Sequence, residues 1–330
     1  MVSVYFTGIL LAAAVLGFGS LQKDAPPALA QIAHIEFHSS FWLNLHHTLY
    51  AAAWAQRPEA GTLRARAGAL PAPLDAPLSD DERRAWSAAV DFYDRELANR
   101  DLLFDQRLAR MKPALARGDI AAVEVGDEVR KVLQRVEPIY RTHYWPAHDR
   151  TNRAWIETTV ASIRDVSSDV IAKLERFYGV SWLDSPIRLD VVWIANRQGA
   201  YTTTEPVHAV VASGAPDHKG WNSVELVFHE ISHKLVYPLE AEIAKALGDA
   251  VKQHRDLWHV VQFYLTGAAV QHTLRARNIE YTPLLYQGLI DRAWPQYRDV
   301  VEKVWRQYAD GGIGREEAVR RTVALVATPK

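Results

Sequence analysis

The stretch of sequence that decides the fold class runs Ile187-Arg188-Leu189-Asp190-Val191-Val192-Trp193-Ile194. Its β-branched and apolar residues favour a strand, and a second strand region follows at 201–204 and 207–211, interrupted by Pro206. Apolar residues at helical spacing surround this region on both sides. The sequence therefore predicts an α+β fold that is predominantly helical and contains one small sheet.

The chain before these strands is expected to be a helical region, residues 31–180, with residues 181–330 as the unit that follows it. Ser39 or Ser40 is a candidate cap for the first helix, and Ser79 opens a capping box before a long amphipathic helix. Gly179 is expected to end the last helix of this region. Residues 66–78, rich in Ala, Pro and Gly, predict a surface loop. The expected helices cover residues 41–50, 80–104, 119–136 and 152–177.

The first 30 residues differ from the rest of the chain. Residues 4–18 are almost entirely apolar, and Ala28-Leu29-Ala30 has the small-residue pattern of a signal-peptide cleavage site. This predicts a signal peptide cleaved before Gln31, with an uncleaved N-terminal anchor as the alternative. In either case the globular part is expected to be exported, periplasmic or secreted, with no other contact with the membrane.

The composition excludes several classes of function. The 38 basic and 39 acidic residues give a net charge of −1 without long runs of one sign, which argues against nucleic acid as a partner. The absence of Cys excludes disulfides, thiolate nucleophiles and cysteine-based zinc or iron–sulfur sites. A metal site in this chain must use carboxylates and some of the 13 histidines.

Residues 229–233 read His-Glu-Ile-Ser-His, the HExxH motif. On a helix, histidines four positions apart project from one face about one turn apart, so both imidazoles reach the same metal ion. Glu230 then lies where it takes a proton from water on that metal. One Zn²⁺ ion suits these ligands, because neutral imidazole binds zinc well and leaves a coordination position open. Asn222 with Glu225 is expected to cap the start of the helix, and Pro238 to stop it.

The motif helix is apolar on nearly all sides, which predicts that it is buried. Its polar exceptions form one stripe: Glu225, His229, Ser232 and His233. Buried histidines need partners, because an unsatisfied buried polar group costs about 1–3 kcal/mol. The alternative to a metal site is a pair of core histidines satisfied by hydrogen bonds.

Through the motif, the strands before it and the helices after it, residues 187–290 resemble the zincins, the large group of HExxH metallopeptidases. The resemblance implies that His229 and His233 bind zinc, that Glu230 activates water and that an edge strand before the helix aligns the substrate. It also implies a third ligand further along the chain. The helical first half, including Tyr144-Trp145-Pro146-Ala147-His148-Asp149, is similar to an uncharacterised family of exported bacterial zincin-like proteins.

Neither common extension of the motif supplies the third ligand. The metzincin pattern H-x-x-G-x-x-H is absent, because Leu239 stands six positions after His233 and no Gly stands three after it. The gluzincin pattern needs a Glu some 20–30 residues on, and the acids between 243 and 267 are Asp249 and Asp256.

His259 is the favoured third ligand. It lies on a second apolar helix in a polar stripe with Gln262 and Thr266, and so offers one imidazole facing inward. The alternatives are Glu240, Glu242 or His254 as the ligand. The alternative role for His259 is that of a helix-packing residue whose ring forms a hydrogen bond with a backbone carbonyl.

Supporting roles are assigned to a few polar residues near the motif. Glu225 either orients the His229 imidazole or only completes the helix cap, and Gln262 is a second candidate for supporting the ligands. The tetrahedral intermediate of acyl transfer needs a hydrogen-bond donor, for which Tyr201, His208, Tyr281 and Tyr286 are candidates. A structural role is the alternative for each of them.

These residues together predict an exported zinc-dependent hydrolase, most simply a metallopeptidase acting on a peptide or protein. The sequence leaves two alternatives open. One is a binding protein that keeps a zincin fold without turnover. The other is a zinc hydrolase that cleaves a non-peptide amide or ester.

Overall fold

The computed structural model of the protein describes residues 26–57, 77–123, 126–195 and 199–326. Most of the predicted signal peptide or anchor, and nearly all of the predicted loop at 66–78, lie outside these residues. None of the described helices combines the length and the apolar character needed to cross a membrane.

The described strands form one mixed sheet at the centre of the molecule. They are β1 (Ala30–Ile32), β2 (Ile35–His38), β3 (Ile187–Val192), β4 (Ala200–Thr204) and β5 (Val207–Ala212). Their order in the sheet is β1-β2-β3-β5-β4. The β2–β3 and β3–β5 pairs are parallel, whereas β1–β2 and β4–β5 are antiparallel. β4 therefore lies at an edge of the sheet.

Strands β1 and β2 correct the prediction that the chain is helical from Ile32 onward. Ile35 and Phe37 are fully buried and alternate along β2, which is strand periodicity over a segment too short to stand out in the sequence. The turn between the strands consists of Ala33 and His34, both with positive φ, and it lacks the Gly or Asn that usually marks such a turn. The predicted cleavage point before Gln31 falls inside β1.

The helices surround this sheet. Between β2 and β3 the chain forms α1 (Phe41–Ala55), α2 (Asp80–Glu96), α3 (Gln106–Arg117), α4 (Asp127–His143) and α5 (Trp145–Tyr178). After β5 come α6 (Trp221–Ser232), α7 (Tyr237–Leu247), α8 (Leu257–Arg275), α9 (Leu289–Ala293), α10 (Arg298–Val300), α11 (Arg306–Ala309) and α12 (Arg315–Val326). Val301–Trp305 is a π-helical segment between α10 and α11. The described chain is thus α+β and mostly helical, as predicted.

Two predicted helix ends are confirmed. The capping box at Ser79 forms, because Ser79 Oγ accepts from the Glu82 amide at 3.3 Å and Glu82 Oε2 accepts from the Ser79 amide at 2.8 Å. Gly179 ends α5 with a left-handed φ of 65°. Ser40 occupies the N-cap position of α1 without a side-chain capping bond.

Three other helix predictions are wrong in extent. The helix predicted to reach Phe104 ends at Glu96, and further on the Asp101 carboxylate accepts from the amides of Leu103 and Phe104 and turns the chain. The helix predicted at 119–136 is divided into a 3₁₀ turn at Ile120–Ala122 and α4. The helix predicted at 152–177 begins earlier, at the start of α5.

The sheet has a hydrophobic core on each face. On the face called here the α6 face, Leu189, Val191, Ala209 and Val211 pack with residues of α5, α6 and α8. On the opposite, α1 face, Val192, Val210 and Ala212 pack with residues of α1 to α4. Helices that precede residue 180 cover both faces of the sheet. The hydrophobic cores therefore include residues from both sides of the predicted boundary at residue 180.

Candidate metal centre

Helix α6 carries the HExxH motif on the α6 face. It begins after Gly220, and the predicted cap by Asn222 and Glu225 does not form, because the Asn222 amide donates to Asp217 O at 2.9 Å and to Gln287 Oε1 at 3.0 Å. The helix ends at Ser232, so His233 is its C-terminal cap residue. Pro238, predicted to stop α6, lies in the first turn of α7, where its missing N–H is no loss.

The structure brings the three predicted histidines together. His229 and His233 lie at the end of α6 and His259 in the first turn of α8, and one ligand atom from each lies within 4.8 Å of the other two. The Nε2 atoms of His229 and His259 are 3.3 Å apart. Among the described residues, this is the one cluster of its kind that could hold a metal ion.

The alternative third ligands are placed elsewhere. Glu242 accepts from Arg315 at 2.7 Å, and His254 Nδ1 lies 3.1 Å from the Tyr297 hydroxyl. Glu240 does not belong to the three-histidine cluster, although it faces the same cleft. The polar stripe of α8 therefore indicated the histidine that the structure brings to His229 and His233.

The cluster fits a tetrahedral zinc ion. Two nitrogen ligands of such an ion, each bonded at 2.0–2.1 Å, would be about 3.3 Å apart, which is the distance between His229 Nε2 and His259 Nε2. The other nitrogen of His229, Nδ1, is buried and has no protein partner in the described part of the chain, so an ion bound to Nε2 would leave Nδ1 unbonded.

The three imidazoles are neutral at pH 7. Burial lowers the pKa of His233 to about 3 and of His259 to about 4. Burial, together with the two neighbouring imidazoles, holds the pKa of His229 well below its usual value. The neutral imidazole is the form that binds a metal, so the cluster needs no proton release to do so.

Aromatic rings enclose the histidines, and this shell was not foreseen from the sequence. Phe263 stacks on His229 with ring centroids 3.7 Å apart, while Trp258 and Trp294 meet His233 and His259 edge-on at 5.9 and 5.5 Å. Phe263 stands four residues after His259, on the same face of α8. Helical spacing from His259 was the signal that could have identified it.

The Glu230 side chain is bonded to strand β4. Thr202 Oγ1 donates to Glu230 Oε2 at 2.6 Å. Glu230 is 4% exposed, and its burial raises its pKa to about 7 despite the opposing effects of the Thr202 hydrogen bond and the Lys112 ammonium. Oε1 has no hydrogen-bond partner among the described residues, so Glu230 keeps one oxygen available. Thr202 was not predicted from the sequence.

Gln262 supports the motif through the backbone. Its Nε2 donates to the carbonyl of His229 at 3.0 Å, which ties α8 to α6 one turn from His259. This contact fixes the separation of the two helices that carry the ligands. Gln262 thus lies where its place in the polar stripe predicted, and it acts on the main chain of a ligand residue.

Glu225 and Tyr281 pair with each other at the other end of α6. Tyr281 donates to Glu225 Oε2 at 2.7 Å, and the Leu284 amide donates to Oε1 at 3.1 Å. Burial raises the pKa of Glu225 to about 7, and these two donors oppose that rise. The predicted bond from Glu225 to His229 is not formed, so the pair ties α6 to the segment that follows α8.

Tyr201 and His208 point away from the cluster, on the α1 face. The Tyr201 hydroxyl lies 3.0 Å from His47 Nε2. Because His47 Nδ1 donates to Leu43 O, His47 Nε2 is an acceptor. The Tyr201 hydroxyl therefore donates its only hydrogen to His47 Nε2. His208 Nε2 lies 2.7 Å from Asp190 Oδ2. Side chains alternate between the two faces of the sheet along β4 and β5, which explains both placements. Thr202, next to Tyr201, accordingly faces α6.

A cleft of about 630 Å³ opens beside the cluster. His233 and His259 line it together with residues 202–205 of β4 and its turn. The helical first half contributes Phe104 and Arg110 to the lining. The metal-binding candidates are thus reached from solvent along the edge strand.

The arrangement combines three neutral imidazoles, a buried carboxylate with one free oxygen and a cleft beside an unpaired strand edge. Comparison of the chain with protein-family models, with curated proteins and with solved structures finds no match.

Proposed function

We propose that the protein is a zinc-dependent hydrolase that cleaves peptide bonds, with one Zn²⁺ held by His229, His233 and His259. The observation that carries the proposal is that three neutral imidazoles meet within 4.8 Å, while Glu230, the residue after His229, is bonded to Thr202, which lines the same cleft as His233 and His259. A closed structural zinc site would have four protein ligands. Three ligands beside a cleft are the composition of a catalytic site.

When bound, zinc supplies a Lewis acid that polarises a carbonyl and lowers the pKa of water toward 7. Glu230 is the base in this scheme. Thr202 holds Oε2, which leaves Oε1 to take the proton of the attacking water and pass it to the departing amine. A pKa of about 7 suits a group that must both accept and release a proton near neutral pH.

The edge strand supports a peptide as the substrate over another amide or an ester. β4 is the last strand of the described sheet, so its outer N–H and C=O groups are available to an extended chain. An extended peptide that adds to a strand edge gains affinity from its main chain, whatever its side chains. Thr202 links this edge to Glu230, so a peptide bound there passes beside the base.

Export is part of the same proposal. It rests on the apolar stretch at 4–18 and on Ala28-Leu29-Ala30 in the sequence. An exported peptidase would meet its substrates in the periplasm or outside the cell.

Metal analysis followed by one substitution tests the proposal. The purified protein, expressed with zinc supplied, is expected to contain one zinc per chain. Glu230→Gln is expected to keep the zinc and lose about 10²- to 10⁴-fold in the hydrolysis of a peptide library.

Glu225→Gln is the matched control, since it removes a second buried carboxylate from the same helix without touching the cluster. Its rate is expected to stay within a few-fold of the wild type. Protein without stoichiometric zinc would refute the metal site, and full activity of Glu230→Gln would remove Glu230 from the mechanism.

A further inference from the structure

Beyond the histidines, the cleft has an uneven distribution of charge. Three carboxylates line it, those of Glu205, Glu240 and Asp256, against one guanidinium, that of Arg110. Asp256 has only a loose ion pair at 3.9 Å with Arg255, a side chain that is 85% exposed. The lining of the cleft therefore carries more acidic than basic groups.

Glu240 is the most informative of these carboxylates. It is partly buried in the first turn of α7, and burial raises its pKa. In the described part of the chain it makes no hydrogen bond or ion pair, whereas Glu242, two residues on, pairs with Arg315 at 2.7 Å. A carboxylate withdrawn from water without a partner is unfavourable, and a cation arriving in the cleft would relieve that cost.

Two aromatic rings line the cleft with Glu240. Tyr237 is 45% exposed, one turn before Glu240 on α7, and Trp258 packs against the rings of His233 and His259. Aromatic faces attract guanidinium and ammonium groups, and a carboxylate adds charge-assisted hydrogen bonds to the same groups. Carboxylate and rings together favour a cation over an apolar side chain.

We propose that Glu240, Tyr237 and Trp258 form a subsite for a cationic side chain of the substrate, an arginine or a lysine. This inference rests on the proposed peptide hydrolysis and specifies which peptides are preferred. Because Trp258 touches two of the three metal-binding candidates, the subsite borders the reacting centre. The preferred basic residue therefore lies close to the cleaved bond.

Peptide binding tests this subsite without requiring turnover. The probes are octapeptides of neutral residues with arginine at each position in turn, each matched by a peptide with citrulline, its neutral isostere, at the same position. Their affinities are measured on zinc-loaded Glu230→Gln protein. At one position or two adjacent positions, arginine is expected to bind about tenfold more tightly than citrulline.

Adding Glu240→Gln to this protein is expected to abolish most of that preference. Adding Glu280→Gln is the control, because Glu280 is an exposed carboxylate outside the cleft, and the preference is expected to persist. A preference that survives Glu240→Gln, or equal affinity for arginine and citrulline at every position, would overturn the subsite.

Turnover by the zinc-loaded wild type separates this inference from the proposed function. If neutral and basic peptides are cleaved equally, hydrolysis stands and the cationic subsite falls. If basic peptides bind selectively through Glu240 and none is cleaved, the subsite stands and the hydrolase proposal falls.

Discussion

The two faces of the sheet each bury a polar cluster with histidine, and the clusters differ in what the imidazoles face. On the α1 face, Asp190 receives hydrogen bonds on both carboxylate oxygens, from His208, Arg188 and Ser40. On the α6 face, ligand atoms of His229, His233 and His259 lie within 4.8 Å of one another. Burial of histidine is common to both, so the convergence of three imidazoles is what marks the candidate metal centre.

The pKa values reflect the same contrast. Burial alone would raise the pKa of Asp190, but the hydrogen bond from His208 and the charge of Arg188 outweigh it and hold that pKa well below its usual range. Glu230 has only a neutral hydroxyl as its direct partner, and its pKa stays raised, at about 7. The Asp190 carboxylate on the α1 face is therefore held in its charged form. The Glu230 carboxylate on the α6 face, by contrast, exchanges its proton near pH 7.

The largest expected difference between the clusters is in metal content. His259→Ala is expected to reduce bound zinc from one ion per chain to none at micromolar protein, because two imidazoles from one helix leave the ion largely uncoordinated. Inductively coupled plasma mass spectrometry of the dialysed protein measures this.

His254→Ala is the control, since His254 bonds Tyr297 and lies outside the cluster, and it is expected to keep the zinc. Unchanged zinc affinity in His259→Ala would remove His259 from the ligand set.

On the α1 face the expected effect is on stability. Asp190→Ala leaves the Arg188 guanidinium and the buried His208 without their shared partner, and it is expected to cost about 3–5 kcal/mol of unfolding free energy. Urea unfolding followed by circular dichroism measures the cost. The folded fraction should still bind one zinc per chain, and a loss of metal without loss of stability would contradict the separation of the two clusters.

How much of this could be predicted from the sequence depends on how local each feature is. The positions of His229 and His233 follow from one helical turn, and that of His259 follows from a polar stripe on one helix. Thr202 is 28 residues from Glu230, and its contact depends on the β4–β5 register and on how the sheet packs against α6. No local pattern carries that information.

The faces of Tyr201 and His208 show a different limit. Because helices cover both faces of the sheet, β5 is apolar on both sides and shows no alternation that would assign a side. The sequence located these two side chains on strands correctly and left their direction undetermined. Strand β2 was missed because four residues are too few for its pattern to exceed that of the adjacent helix.

Glu230 is expected to make the metal-free protein less stable as the pH rises from about 4.5 to about 7. Its folded-state pKa of about 7 exceeds the ordinary value of 4.5, so its contribution to stability is fully present below 4.5 and is lost as the pH rises through 7. Glu230→Gln carries no such dependence. The unfolding free energy of the variant minus that of the wild type, measured with a chelator present, should be about 3 kcal/mol larger at pH 8.5 than at pH 4.5.

Urea unfolding of both proteins across this pH range measures that difference. Parallel pH profiles would show that Glu230 ionises in the folded protein as it does in water.

The smallest expected effect concerns the hydroxyl that joins β4 to the base. Thr202→Val removes the donor to Glu230 Oε2, which raises the pKa of Glu230 further and costs about tenfold in kcat/KM. The acidic limb of the pH–rate profile should move to higher pH. Thr203→Val is the control, because the Thr203 hydroxyl bonds the carbonyl of Pro206, and its profile should match the wild type. Identical profiles for all three proteins would separate Thr202 from the chemistry.

The parallel pairing of β2 with β3 has a consequence for how the chain comes to be folded. Ile35 lies opposite Ile187, a partner about 150 residues later in the chain. At about 5–20 residues per second of synthesis, β2 would wait roughly 8–30 s for that partner, with Ile35 and Phe37 uncovered. Contacts this distant in sequence also slow folding itself. The nascent protein thus carries an apolar strand with an open edge while about 150 of its 330 residues are synthesised.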